Sequence, residues 1–511
     1  MMKKTALISV YYKDGLVDFV KELVKLDWDI VSTGGTLKTL REAGIEAIDV
    51  TEITGFPEIL DGRVKTLSPQ VFGGILFRRE EEEHQKTIAE HNLRPIDMVV
   101  NILYPFEETV KDPNATKQDI IEKIDIGGPS MIRGAAKNYK DVMIVTSSEQ
   151  YDEVINELKS NPNPGIEFKM NLAKKAFMRT AAYDIAIANY FMSETAEGNP
   201  EELFMHFIKD SDLRYGENPH QCASYYKSDA VNGTLNDAKI IQGKALSYNN
   251  ILDITAGLDF ITDFMDRPTA IGIKHTNPCA IATSDNIEEA YDKCIEGDSE
   301  SIFGGIIVLN EPVTAALAEK MTSFFLEIII APKIETEAVE VFKKKPNLRV
   351  LEISTLGQKE KADTVFTRAS GGILIQEKDN DLYNELVTVT KREPNESELK
   401  DLIFAYKVVK CLKSNAIAIV KNGMTLGLGI GDVNRFFATT HALDMAGEEA
   451  KGAVVASDGF FPFADSIAEF VKYGVTAIIQ PGGSIKDKDT IEYADENDIA
   501  MVFTGMRHFR H

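Results

Sequence analysis

The sequence predicts an α/β fold in two parts: a parallel-sheet domain over residues 1–196 and a duplicated α/β region over residues 197–511. Three observations predict it. Short apolar runs alternate with amphipathic helical patterns through the first third, the mark of βαβ units that close into a mostly parallel sheet. The order of elements in the remainder recurs once, which implies two similarly folded halves, 197–370 and 371–511. The 511 residues are 44% hydrophobic and 27% charged, the balance of a globular protein long enough for several cores.

The elements follow in order. TALISV (Thr5–Val10) alternates as a strand, and GLVDFVKELVKL then sets Leu16, Phe19, Val20, Leu23 and Val24 at helical spacing. WDIVSTGGT is a strand that ends in glycines, and LKTLREAG is a short helix stopped by Gly44. IDMVVNILYPF is a third strand, stopped by Pro105, and DVMIVTS is a fourth. SNPNPG (Ser160–Gly165) is a loop before a long helical pattern from Phe168 to Ser193, and the polar stretch ETAEGNPEE closes the domain. One copy of the duplication runs AIGIKHTNPCAIATS, helix, SIFGGIIVLN, the helix VTAALAEKMTS and LEIIIAP. The other runs AIAIVKNGMTLGLGIGD, helix, GAVVASDGFFPF, the helix ADSIAEFVKYG and TAIIQPGG. KADTVFTRASGGILIQEKDNDL joins them.

A net charge of −24 argues against a general binder of nucleic acid or anionic membrane, so anionic substrates would need local basic clusters. No apolar run is long enough to span a bilayer, and MMKKTALISVYYKDG has no secretory pattern. Cys222, Cys279, Cys294 and Cys411 show no paired spacing, as expected of reduced thiols in a cytoplasmic protein.

Several motifs can carry chemistry. STGGT (Ser32–Thr36), between strand and helix, is a potential phosphate cradle, or an ordinary turn. In GFPEILDGRVKTLSP, Arg63 and Lys65 share a face if extended, with Thr66 beside them, and could grip a phosphate or simply face solvent. IDIGGPSMIRGAAKN puts Asp125 at a strand end and Lys137 on a small-residue helix with Arg133 one turn before, a proton-exchanging pair or a structural ion pair. LRYGENPHQ clusters Arg214, Tyr215, Glu217, Asn218 and His220. In IKHTNPC the strand is expected to end before Pro278, bringing Lys274 and His275 to one site or leaving them on a solvated turn. GLGIG (Gly427–Gly431) is followed by Asp432 and is no dinucleotide fingerprint. NPCA has Ala282 where a zinc deaminase motif needs its second cysteine, and no H-x-E lies upstream, so no metal is expected.

STGGT, GFPEILDGRVKTL, NILYPF, IDIGGPSMIRGAAKN, LRYGENPHQ, IKHTNPC, LEIIIAP, KSNAIAIVKNG and ASDGFFPFADSI together resemble, in order and over nearly the whole chain, the family of bifunctional purine-biosynthesis enzymes. These join aminoimidazole carboxamide ribonucleotide (AICAR) formyltransferase to IMP cyclohydrolase. The resemblance implies a methylglyoxal-synthase-like first domain that closes the ring of formyl-AICAR. It implies a tandem cytidine-deaminase-like region without zinc that transfers formyl from 10-formyltetrahydrofolate, a cosubstrate, with no tightly bound cofactor. A homodimer whose formyltransferase sites draw on both subunits is implied, with no nucleic-acid or membrane partner.

By the same resemblance, Lys65, Tyr104, Asp125 and Lys137 would perform ring closure. Lys13, Ser32, Thr33, Gly34, Gly35, Arg63, Val64, Thr66, Asn101, Ile102 and Ile126 would line the nucleotide. His275 would act as base and Lys274 would meet the oxyanion in formyl transfer. Arg214, Tyr215, Gly304, Glu327, Asn415, Phe460 and Arg507 would bind AICAR, and Arg435, Asp465 and Ser484 the folate. The chain departs from the family pattern at Tyr11, Ser68 and Phe72, which stand for a serine and two histidines, and at Asp432, which stands for glutamine. Tyr11, Ser68 and Phe72 motivate one alternative, a formyltransferase with a relic first domain, and Asp432 bears on folate contact; a second alternative, a non-catalytic nucleotide binder, is disfavoured by the survival of Lys137, Lys274 and His275.

Overall fold

The computed structural model describes residues 3–60, 62–195, 198–228, 233–358 and 364–511. The chain divides into two compact units, Met1–His206 and Phe207–His511. The expected boundary at 196/197 falls outside the described residues.

The first unit is built on a five-stranded parallel sheet of β1 (Lys4–Val10), β2 (Trp28–Ser32), β3 (Ile48–Asp49), β4 (Met98–Ile102) and β5 (Met143–Val145). Its order is β3-β2-β1-β4-β5. The chain winds outward from β1 to β3 and then restarts on the other side of β1, which creates a switch point between β1 and β4. Leu7 and Ile8 of β1 and Val99 and Val100 of β4 are fully buried, because helices cover both faces. The helix Leu16–Lys25 buries Leu16, Phe19, Val20 and Leu23, while Val24, grouped with them in the sequence, is exposed. A 30-residue helix, Ile166–Thr195, packs along the unit. Asp125 is not at a strand end. It sits in the turn between helices Lys117–Glu122 and Gly127–Lys137, because the buried Tyr183 hydroxyl accepts its backbone N–H at 2.8 Å and no ladder does.

In the second unit β6 (Ile208–Leu213) and β7 (Ala223–Lys227) form a hairpin. The first half of the duplication supplies β8 (Lys239–Gln242), β9 (Thr269–Lys274), β10 (Asn277–Thr283), β11 (Ile306–Leu309), β12 (Ile328–Ala331) and β13 (Arg349–Glu352). The joining segment carries a ribbon of β14 (Thr364–Ala369) and β15 (Gly372–Glu377). The second half supplies β16 (Val387–Thr388), β17 (Ile417–Lys421), β18 (Met424–Gly429), β19 (Val454–Ser457), β20 (Ala477–Gln480) and β21 (Ala500–Phe503).

The two halves of the duplication are continuous with one another. They form one twelve-stranded sheet, β16-β21-β20-β19-β17-β18-β10-β9-β11-β12-β13-β8, joined where β10 pairs with β18. Pair for pair, the halves match: an antiparallel hairpin (β9/β10, β17/β18), parallel inner strands (β11–β13, β19–β21) and an antiparallel edge (β8, β16). One face shares a core between helices Tyr248–Ile261 and Glu396–Cys411, which is why the halves stay together. The other face has a separate core for each half. The glycines of GLGIG serve packing: a Cβ at Gly427 or Gly429 would lie 2.0 Å from the carbonyl oxygen of Ala442 or Ala438 on the helix Arg435–Ala446.

Pro278 does not end its strand. β9 ends at Lys274 in a two-residue turn, His275-Thr276, and the chain returns as β10 with Pro278 at a bulge, where a missing N–H is tolerated.

Candidate active sites

At the switch point of the first unit lies a cavity of about 710 Å³. β2 runs into the helix Gly34–Glu42 at Thr33, so STGGT offers the cavity a helix N-terminus, which favours an anion. Lys65 reaches this turn: its Nζ would lie 3.7 Å from a Cβ placed on Gly34. Lys13 bonds Thr36 Oγ1 at 3.1 Å and the Val10 carbonyl. Burial, and then the Lys65 charge, hold its pKa below the ordinary lysine range. Two ammonium groups in one half-buried space are best relieved by an anion between them. Arg63, paired with Glu122, and Thr66 complete this wall.

The opposite wall carries Asn101, Ile102, Tyr104, Asp125 and Ile126. Asp125 accepts the Gly128 N–H at 2.7 Å, and burial raises its carboxyl pKa despite that bond and the nearby Lys65. Tyr104 is raised by burial and then by Asp125. A Cβ on Gly128 would lie 2.4 Å from Asp125 Oδ2 and 2.8 Å from Asn101 Oδ1, so this corner requires glycine. Asn101 Oδ1 is buried without a hydrogen-bond partner, an acceptor left for a ligand donor. Tyr11 stacks edge-on against Tyr104, with ring centroids 5.6 Å apart, and Lys123 Nζ lies 5.5 Å from the Tyr11 ring centroid.

Not every expected residue is here. Ser32 is fully buried and donates to the Ile8 carbonyl, and Val64 pairs across a turn with Ile59. Lys137 is displaced altogether. The helix Gly127–Lys137 rises about 1.5 Å per residue, so Lys137 lies roughly 15 Å along the axis from the Asp125 end, in a separate groove with Phe72 and Arg133. Ser68 caps the helix Pro69–Leu76. Of the family departures in this unit, only Tyr11 faces the cavity. Tyr183, which also donates to the Lys123 carbonyl at 2.8 Å, went unnoticed in the sequence, where it is one aromatic on a long helix.

In the second unit Lys274, His275, Gly304 and Glu327 meet at one end of the sheet. β9 ends there, and β11 and β12, antiparallel to it, begin there. Lys274 Nζ donates to the Phe303 carbonyl at 2.9 Å, leaving two of its three N–H groups. His275 and Thr276 have φ of 55° and 60°. Asp253 on the helix Tyr248–Ile261 accepts the Thr276 backbone N–H at 2.7 Å. Asn250 of the same helix donates to Glu327 at 3.2 Å. Asn249 donates to the Glu217 carbonyl, which brings the loop of Arg214 and Tyr215 to the helix start. Sequence reading missed Asp253 and Asn250.

The other expected residues gather at the same end of the sheet, in the second half. Asn415 precedes β17, Phe460 follows β19, Ser484 follows β20 and Arg507 follows β21. Lys486 Nζ, 4.5 Å from the Phe463 ring, ties the Ser484 loop to the loop before Asp465, and Arg507 stacks on Phe509 at 4.6 Å. Arg435 is not placed to touch a ligand directly. It is 8% exposed, and its guanidinium is committed to Asp458 (2.6 Å), Ser457 (2.7 Å) and Asn415 (2.9 Å). The Asp432 carboxylate turns to His441 at 3.0 Å while its carbonyl holds Asn415. Glu327 and Asn415 are separated by five inter-strand steps, roughly 24 Å at 4.8 Å per step, beyond the reach of one nucleotide monophosphate.

Among the described residues, no group of three or more His, Cys, Asp or Glu side chains is placed to hold a metal ion, and no helix is long and apolar enough to cross a membrane. Burial pushes the Cys279 thiol up to about 12.

Two sequence families match: "AICARFT/IMPCHase bienzyme" over residues 135–445 and "MGS-like domain" over residues 15–130. The chain is 49% identical over 512 residues to the "Bifunctional purine biosynthesis protein PurH" of Thermoanaerobacter sp. (strain X514), covering 100% of both chains. It is likewise 49% identical to proteins of that name from Bacillus subtilis (strain 168), over 516 residues, and Halalkalibacterium halodurans, over 513, again with full coverage of both.

Proposed function

Because the chain belongs to the AICARFT/IMPCHase bienzyme family, we infer how its two units divide the work. The protein is a bifunctional enzyme of purine biosynthesis: it formylates AICAR from a folate-derived donor and closes the product to IMP. The relic-domain alternative finds no support in these relatives.

The first unit performs ring closure. The observation that carries this is the pairing, across one cavity, of a basic anion cradle with a buried carboxyl and phenol. Lys13, Lys65 and the STGGT turn hold the ribose phosphate. The carboxamide nitrogen attacks the formyl carbon, the developing oxyanion meets Tyr104, and water leaves. Asp125, kept protonated more readily by its burial, orients the amide and exchanges its proton. Lys137, expected to share this role, lines a separate groove of the same unit.

The second unit transfers the formyl group from 10-formyltetrahydrofolate. The AICAR amine is a poor nucleophile because its lone pair is delocalised into the ring. His275 takes its proton as nitrogen attacks the formyl carbon, Lys274 meets the tetrahedral oxyanion, and the folate nitrogen departs with a proton. Arg214, Tyr215, Gly304 and Glu327 bind AICAR from one side, and Asn415, Phe460 and Arg507 from the other. Asp465 and Ser484 flank the folate. The separation of these two groups across the sheet supports a homodimer in which each site takes one group from each chain. We assign the halves a cytidine-deaminase-like fold without zinc, acting in the cytoplasm; Cys279 stands without the second cysteine and the upstream H-x-E of a zinc deaminase motif. Elemental analysis of purified protein giving about one zinc per chain would defeat that assignment.

His275→Ala tests the reading. Formyl transfer should fall by about 100-fold or more, the scale of losing a positioned base, while added formyl-AICAR still closes to IMP at the original rate. Unchanged formyl transfer would remove the base from His275.

A further inference from the structure

We propose that Asp253 is a positioning residue for formyl transfer, holding the His275–Thr276 turn in the left-handed conformation from which His275 reaches the substrate. The proposal rests on the assignment of Lys274 and His275 as the reacting pair.

The turn is a two-residue hairpin, closed by the pairing of Lys274 with Asn277. Such turns need positive φ at both central residues and favour Asn-Gly there. Here they are filled by histidine at 55° and by β-branched threonine at 60°, a residue type for which that region is a genuine outlier. Backbone strain of this kind persists only where surrounding contacts over-determine it. Asp253 supplies that determination by accepting the N–H of Thr276, the β-branched residue of the turn, at 2.7 Å.

The second half of the chain provides an internal comparison. Its hairpin between β17 and β18 turns through Asn422-Gly423, with φ of 54° and 70°. Asp401, the sixth residue of its helix as Asp253 is of its own, accepts both turn N–H groups at 2.7 and 2.8 Å. Lys421 Nζ donates to the Lys451 carbonyl at 2.9 Å, as Lys274 does to Phe303 at 2.9 Å. Gly452 and Gly304 have φ of 73° and 74°, and each donates its N–H across a 2.8 Å bond to a residue before the next strand. The whole frame is therefore present twice. What differs is the filling: the relaxed Asn-Gly occupies the turn of the second half, and the strained His-Thr occupies the turn of the first. A carboxylate common to both turns belongs to the frame, and only in the first half does it hold a conformation the sequence resists.

The test uses the full-length enzyme. Asp253→Ala should lower kcat for formyl transfer by about 10- to 100-fold, the scale of a reacting group misplaced by about an ångström, with KM for AICAR changed less than about threefold. Ring closure of added formyl-AICAR should not change. Asp401→Ala removes the same cap from the relaxed turn and should leave kcat within about twofold. Adding Thr276→Gly to Asp253→Ala lets the turn adopt positive φ without the carboxylate and should recover at least about fivefold of the lost kcat. Three results would overturn the proposal: Asp253→Ala with kcat within twofold of the parent, an equal kcat loss in Asp401→Ala, or no recovery in the double variant. If His275→Ala keeps its activity, the underlying assignment fails instead, whatever Asp253→Ala does.

Discussion

Asp125 shows how a single residue sets function against stability. Burial raises its carboxyl pKa above the ordinary 3.8, and the Gly128 N–H and Lys65 do not fully offset that burial. A carboxyl whose folded pKa is raised contributes stability that is complete below its unfolded pKa and is lost as pH rises through the folded value. At neutral pH the folded protein therefore carries a cost that an amide would not. Asp125→Asn keeps an oxygen for the Gly128 N–H and cannot ionise. Its first unit should melt at a higher temperature than the parent near neutral pH, and the difference should close as pH falls below the ordinary carboxylate range. Ring closure should fall by about 100-fold or more in the same variant. Calorimetry across pH together with IMP formation from formyl-AICAR checks both; a lower melting temperature at neutral pH would show that the carboxylate is stabilising after all.

At the level of elements, the helix Ile166–Thr195 is what builds the cyclohydrolase corner, through the fully buried Tyr183. Tyr183→Phe keeps the ring and removes the hydroxyl, leaving the Asp125 N–H and the Lys123 carbonyl without their partner. Each unsatisfied group costs roughly 1–3 kcal/mol, and the Asp125 turn should loosen. Ring closure should weaken at least about tenfold while formyl transfer is untouched, and equal loss of both would mark general unfolding. This contact also explains what the sequence concealed. Strands β1, β2 and β4 were legible because buried parallel strands read as apolar runs between helices. Asp125 was misread because its backbone bonds to a side chain 58 residues away, which no local pattern records. The β9 hairpin was misread for a related reason. Asn422-Gly423 announces a turn, whereas His275-Thr276 does not, and Pro278 looked like the stop. Asp253 would have been found by aligning the helices before the two hairpins, NNILDI and ESELKDL, as well as the strands. The distance of Lys137 from Asp125 was countable from helical rise, yet both the motif reading and the family resemblance had paired the two.

Across the whole molecule, the expected AICAR residues stand in two groups along one end of the large sheet. Lys274, His275 and Glu327 stand at one part of the sheet end, and Asn415, Phe460 and Arg507 stand several strands away. If each formyltransferase site takes the first group from one subunit and the second from its partner, then His275→Ala and Asn415→Ala inactivate different contributions to the same site. Each variant alone makes dimers in which both sites are damaged. Mixing and re-pairing the two in equal amounts makes mixed dimers half of the population. Every mixed dimer then has one site with both substitutions and one with neither. Formyl transfer should return to about a quarter of the parent rate per chain, although neither variant is active alone. Ring closure should stay at the parent level throughout, since the residues proposed for it lie in the first unit. Re-paired mixtures that stay as inactive as the single variants would place both groups in the same chain's site, and the separation across the sheet would then need another explanation.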